Sequence, residues 1–234
     1  MHSNGNANTR QGRRVLSLKA PNQDEAPDTF CANPAKPPLS TPQKAAIWGP
    51  VNQGTTKDGD DVLVDSSEPM TEPLNFASNA EAKLHVSTIT NTPDADWAVK
   101  LIDVHPDAFA HNIARGILRG RYRASLLKPE LMQPGQLYEI TVDLGPVAAA
   151  IAKRNQVRVD ISGADFPLSD HNPNTAEGIT SSKTAIATEQ VHCKPGALSS
   201  IVLPVRSELS PTVGIMKSTL TLFTALLLAP LADQ

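Results

Sequence analysis

Apolar and polar residues alternate over short runs between residues 61 and 205. In "AEAKLHVSTIT" (80–90), Ala82, Leu84, Val86 and Thr88 share one face, and Lys83, His85 and Ser87 share the other. In "DWAVKLIDVHP" (96–106), Trp97, Val99 and Leu101 oppose Lys100. In "QVRVDIS" (156–162), Val157, Val159 and Ile161 face a core while Arg158 and Asp160 face water. The runs 61–65, 116–125, 136–144 and 199–205 read the same way. A period of two is the strand signal, because successive side chains leave a strand on opposite faces. Turn formers punctuate the runs at "NTPDAD" (91–96), "HPDAFAHN" (105–112) and "KPELMQPGQ" (128–136). Many short strands at this spacing predict an all-β sandwich or jelly roll. "PVAAAIAKRNQ" (146–156) could hold a helical turn and is read as a connection.

The first 45 residues break the pattern. Prolines at 21, 27, 34, 37, 38 and 42 forbid regular helix, and only Val15–Leu18 looks like a strand. No apolar run follows Met1, so no signal peptide is expected there, and localisation is left unassigned. The segment reads as a chain that begins partway through something larger. The last segment, "MKSTLTLFTALLLAPLADQ" (216–234), has the charged, apolar and small-residue zones of a signal peptide at the opposite end of the chain. Three readings stay open: a segment outside any folded unit, which is preferred, a weak membrane anchor, or a tail helix on the sandwich. The expected division is an irregular lead-in over 1–45, a sandwich over 46–206 and a tail over 207–234.

Composition narrows the function. Hydrophobic residues make up 40% of the 234 positions and aromatics 4%, so Val, Ile, Leu and Ala must fill the core. Net charge is −3 and no basic stripe interleaves with aromatics, which argues against a nucleic-acid partner. Cys31 and Cys193 fit no metal spacing. They read as two free thiols, with a long-range disulfide as the alternative.

No GxSxG, HExxH, P-loop or GxGxxG motif occurs, so no catalytic, cofactor-binding or metal residue is assigned and no cofactor is expected. Four of the six histidines (His105, His111, His171 and His192) lie in or near loops, but their spacings match no metal motif. His85 is expected at the surface. Asp94 and Asp96 could open a calcium loop, yet the later ligands of an EF-hand are missing. Arg115, Arg119, Arg121 and Arg123 have even spacings and would share one strand face. That row reads as a solvated or carboxylate-paired face, with anion or partner docking as the alternative. Asp170-His171 could join a triad only if a serine met it in space.

Several ordered blocks carry a family resemblance. "TPDADWAVKLIDVHPD" (92–107), "GILRGRYRASLLKPELMQPGQLYEITVDL" (116–144) and "VRVDISGADFPLSDHNPNT" (157–175) resemble the C-terminal domain of the CocE/NonD serine hydrolases, the cocaine esterase-like family. This unit is also called the X-Pro dipeptidyl-peptidase C-terminal domain. The likeness runs over about 60–205, with "DDVLVDSSEPMTEPLNF" (60–76) as its opening strand and "SSIVLPV" (199–205) as its closing one. "HSNGNANT" (2–9) resembles the passage out of the catalytic domain. The resemblance implies a jelly-roll, galactose-binding-like sandwich. It implies that a separate α/β-hydrolase domain carries the Ser-Asp-His triad and cleaves esters, acyl groups or Xaa-Pro peptides. It further implies that the sandwich packs on that domain and frames its active site, and that this chain alone is inactive.

The chain departs from the family pattern in places. The family's Gly-His-Arg turn reads Arg154-Asn155-Gln156 here, and Asn155 is the residue expected to take the left-handed conformation. Ala176 replaces a usual glycine, and "EGITSSKTAIATEQVHCKPGALSS" (177–200) is only loosely similar. A reading from another class is a free-standing carbohydrate- or protein-binding module. Its sugar platform would have to come from Trp48, Trp97, Tyr122, Tyr138 and five phenylalanines. A third is a truncated, non-functional product that aggregates through a bare apolar face.

Overall fold

The computed structural model describes residues 1, 7, 14–39, 52–54, 61–206 and 220–223. Among the described residues, twelve strands run in chain order: β1 (Arg14–Leu16), β2 (Asp28–Ala32), β3 (Val62–Ser67), β4 (Leu74–Thr88), β5 (Asp96–Val104), β6 (Ala110–Arg119), β7 (Tyr138–Ile151), β8 (Gln156–Ser162), β9 (Ala187–Lys194), β10 (Ala197–Leu198), β11 (Ser200–Leu203) and β12 (Leu220–Phe223). One sheet has the order β1-β3-β8-β5-β6. The other has the order β10-β9-β4-β11-β12, with β2 joined to β9 and β7 joined to β4. This is the all-β sandwich that the alternation predicts, and nearly every strand pair is antiparallel.

The core fills from the faces that alternation marks. Trp97, Val99 and Leu101 of β5, Leu84 and Val86 of β4, and Val157, Val159 and Ile161 of β8 are all fully buried. Full burial of such side chains contributes about 1.5–3 kcal/mol each. The two sheets close on each other where β6 meets β7. A Cβ on Gly116 would lie 2.0 Å from the Asp143 carbonyl oxygen, so only glycine fits there.

The structure corrects several expectations. The lead-in is not irregular throughout: β1 pairs in parallel with β3, and β2 pairs with β9, so both sheets extend into residues before 46. Pro146–Ile151 is no helical connection. It continues β7 and pairs with Leu74–Asn79 of β4, because a long cross-strand partner outweighs alanine's weak strand preference. Arg158 and Asp160 do not face water, and both are 3% exposed. Cover arrives from far away in sequence: the Arg158 guanidinium donates to the Gln53 carbonyl, and the Lys100 ammonium donates to the Leu39 carbonyl.

The tail reading lies mostly outside the described residues. Leu220–Phe223, however, pair antiparallel with β11, which places these four residues at the edge of the larger sheet rather than outside the fold. No helix among the described residues is long and apolar enough to cross a membrane. Cys31 is exposed and Cys193 buried, and no disulfide joins the two.

Candidate functional site

The loop after β8 carries the residues that look most like chemistry, and the structure ties them to arginines. Asp94 and Asp96 precede and open β5, with 0% and 1% exposure. Arg119, at the end of β6, donates to Asp96 from Nε at 2.9 Å and from Nη2 at 3.0 Å. Arg121 donates from Nε to Asp94 at 2.7 Å. The two guanidiniums then reach the loop backbone, Arg119 at the Asp170 carbonyl and Arg121 at the Thr175 and Ala176 carbonyls. The Asn172 amide donates to Asp94 at 2.9 Å and to Asp96 at 2.8 Å. Asn174 donates to the Ala32 and Ala185 carbonyls. Both carboxylates are thus paired with guanidiniums. Burial pushes the Asp96 carboxyl up, against the pull of Arg119.

The four arginines do not form one row. β6 ends at Arg119, and a 3-10 turn spans Gly120–Tyr122. Each guanidinium has its own partner. Arg115 approaches Asp165 at 3.7 Å, and Arg123 approaches Glu130 at 3.7 Å while lying 4.4 Å from the Tyr138 ring centroid. The carboxylate-paired reading of these residues therefore holds over the docking one.

The structure brings no serine of the described residues to Asp170 and His171. The His171 ring packs edge-on against Phe166 at 6.0 Å, and the Ser162 hydroxyl donates to the Ala164 carbonyl. Among the described residues no hydrogen bond joins His171 to a serine. His85 lies opposite His192 across β4 and β9, and its Nε2 is 3.9 Å from Glu139. His192 accepts or donates at Ser87 Oγ over 2.8 Å, and burial lowers its pKa.

The hairpin of β5 and β6 gathers three donors that sequence spacing did not suggest. Asp103 and His111 are direct cross-strand partners, and His105 follows Asp103 by two positions. One ligand atom from each lies within 4.8 Å of the others, and His105 Nε2 is 3.3 Å from Asp103 Oδ2. The Asn155 amide donates to both Asp103 oxygens, at 2.8 and 3.1 Å. The readable signal was the hairpin itself, since pairing 96–104 with 110–119 sets Asp103 opposite His111.

Trp97 lies in the core and is closed to a sugar, while Trp48 lies outside the described residues.

The sandwich and this arginine-held loop match a known unit. The family model for the X-Pro dipeptidyl-peptidase C-terminal non-catalytic domain covers residues 7–202. The chain belongs to this family. It is 33% identical to cocaine esterase from Rhodococcus sp. (strain MB1 Bresler), over 86% of this chain and 36% of that protein. It resembles a solved α-amino acid ester hydrolase at 30% identity and a TM-score of 0.77, covering 82% of this chain and 34% of the other. An aminopeptidase from a marine sediment archaeon (Thaumarchaeota archaeon) aligns at 28% identity and a TM-score of 0.73, covering 82% and 34%. The chain thus spans about a third of the length of these relatives. In the X-Pro dipeptidyl-peptidase C-terminal family, the sandwich sits with a larger catalytic domain.

Proposed function

We propose that this chain is an accessory sandwich that packs on an α/β-hydrolase domain, frames its active site and has no hydrolytic activity alone. The partner would cleave ester or peptide bonds, as the names of the relatives suggest. In this reading the folded unit starts before residue 46, since β1 and β2 belong to its sheets.

The observation that carries the docking role is a stiff loop with an apolar tip. Leu126 and Leu127 are 79% and 92% exposed. Their loop is nonetheless clamped: Arg123 donates to the Gly120 and Glu130 carbonyls, and Ser125 Oγ accepts from the Leu127 and Lys128 amides. Ordering a loop costs entropy, and two adjacent leucines in water return none of it. Paired apolar side chains held this way fit a protein partner.

The test has two arms. Pure protein should not turn over a p-nitrophenyl ester or an Xaa-Pro anilide. Turnover blocked by a serine-directed inhibitor would overturn the inactive reading. In a chimera where this chain replaces the matched third of the Rhodococcus cocaine esterase, activity should fall on Leu126→Asp with Leu127→Asp. The same pair should leave the melting of the free chain unchanged. Equal chimera activity with and without the pair would sink the docking role of this loop.

A further inference from the structure

We propose that Asp103, His105 and His111 form a binding site for a divalent transition cation, with zinc as the best match. The site is independent of the docking role and lies on a different part of the sandwich surface from the Leu126-Leu127 loop.

The donor set is the first argument. Two imidazoles and one carboxylate suit zinc, nickel, cobalt or copper, whereas magnesium and calcium prefer oxygen ligands alone. Geometry is the second. Asp103 and His111 face each other across the β5–β6 ladder, and His105, just past the end of β5, brings its Nε2 to 3.3 Å from Asp103 Oδ2. The donors already lie within 4.8 Å of one another. Closing them to about 2.0–2.2 Å around one ion needs shifts of about 1 Å, within reach of small side-chain rotations.

The support around the donors is the third argument. Asn155 is buried and donates to both oxygens of Asp103, which fixes the carboxylate as an outer-sphere partner does in metal sites. The turn that carries His105 is tied down by the His105 amide on the Phe109 carbonyl and the Ala108 amide on the His105 carbonyl. The Phe109 ring lies 5.6 Å from His105 and 6.4 Å from His111, an apolar wall beside both imidazoles. On the open side, a trough of about 360 Å³ runs past Asp103 and His111 along Val147–Ile151. Three protein ligands beside open space leave a coordination position for water or a small anion.

Titration calorimetry of the full chain with zinc chloride, nickel chloride and magnesium chloride tests the site. One zinc should bind per chain, nickel should compete, and magnesium should give no heat. His105→Gln and His111→Gln are half-buried surface changes and should each weaken zinc by about ten-fold or more, with unchanged circular dichroism. Asn155→Ala should weaken it by about ten-fold through the freed carboxylate. His192→Gln and Cys31→Ser, which alter two zinc-capable groups elsewhere in the chain, should leave the affinity unchanged. Cobalt(II) should give visible bands that the double variant His105→Gln/His111→Gln lacks. No saturable binding up to about 0.1 mM free zinc would overturn the site. So would binding that survives the double variant.

Discussion

Arg119 grips Asp96 through two parallel N–H···O bonds of 2.9 and 3.0 Å. Asp96 is 1% exposed, so removing the guanidinium leaves a desolvated carboxylate with Asn172 as its one remaining side-chain hydrogen-bond donor among the described residues. Breaking a buried pair this way costs about 3–5 kcal/mol. Arg119→Ala should therefore lower the denaturant midpoint sharply. Arg119→Lys should recover only part of the loss, because an ammonium keeps the charge but not the two-pronged geometry. Urea unfolding of the three proteins gives the order. A midpoint for Arg119→Ala equal to the parent would show that the grip does not stabilise the fold.

Glu189 is the second consequence. It faces the core from β9, is fully buried, and has no hydrogen-bond partner for either oxygen among the described residues. Burial, aided by the nearby Asp96 and Asp94 charges, pushes its carboxyl well above the ordinary 4.5. The native state keeps a proton that the unfolded chain releases above that ordinary value. This contribution to stability is complete below the unfolded value and is lost as pH rises through the folded one. Glu189→Gln should flatten that decline and match or exceed the parent at neutral pH. Melting temperatures across mildly acidic to mildly alkaline buffer check it. Parallel curves for parent and variant would mean that Glu189 does not titrate there.

The same glutamate explains a gap between sequence and structure. β9 alternates inward Ala187, Glu189, Val191 and Cys193 with outward residues. A glutamate at an inward position hides the period-two signal, so the strand is not legible in 187–194. β5 was legible because Trp97, Val99 and Leu101 are unambiguous. Arg158 and Asp160 misled for another reason. Each neutralises the other, at 2.6 Å from Nε to Oδ1, and their cover comes from residue 53 across a sequence gap of 105. Local alternation carries no information about such cover. The family blocks were legible because the arginine and aspartate partners of the loop, although distant, sit inside those blocks. The metal donors were not, because their meeting depends on hairpin register rather than on any spacing motif.

At Gly116 the backbones of β6 and β7 approach closely. An added Cβ would fall 2.0 Å from the Asp143 carbonyl oxygen and 2.9 Å from its carbonyl carbon. Backbone cannot rotate away as a side-chain tip can, so Gly116→Ala must spread the sheets. Overpacking of this kind costs about 1–3 kcal/mol or more. Gly135→Ala is the contrast, because nothing lies within 4 Å of where its Cβ would stand and its cost comes from the φ of 77° alone. Thermal unfolding should show the larger drop at Gly116. The reverse order would mean that β6 and β7 are further apart than described.

Arg154 is the residue that takes the left-handed conformation in the β7–β8 turn, with φ of 75°, and Asn155 does not. The expectation placed it one position later. The reason is visible in the hydrogen bonds: Asn155 is committed inward to Asp103, while the exposed Arg154 only offers its amide to the Met70 carbonyl at 2.9 Å. The left-handed corner of this turn is therefore at Arg154, where an L side chain bears the strain. A non-glycine residue in that region costs about 1–2 kcal/mol. Arg154→Gly should relieve most of it, offset by the greater freedom glycine has in the unfolded chain. A net gain of about 0.5–1 kcal/mol is expected by urea unfolding, with the amide bond to Met70 retained. Arg154→Ala keeps the Cβ and should give no such gain, so equal midpoints for the glycine and alanine variants would assign the effect to lost charge rather than to backbone strain.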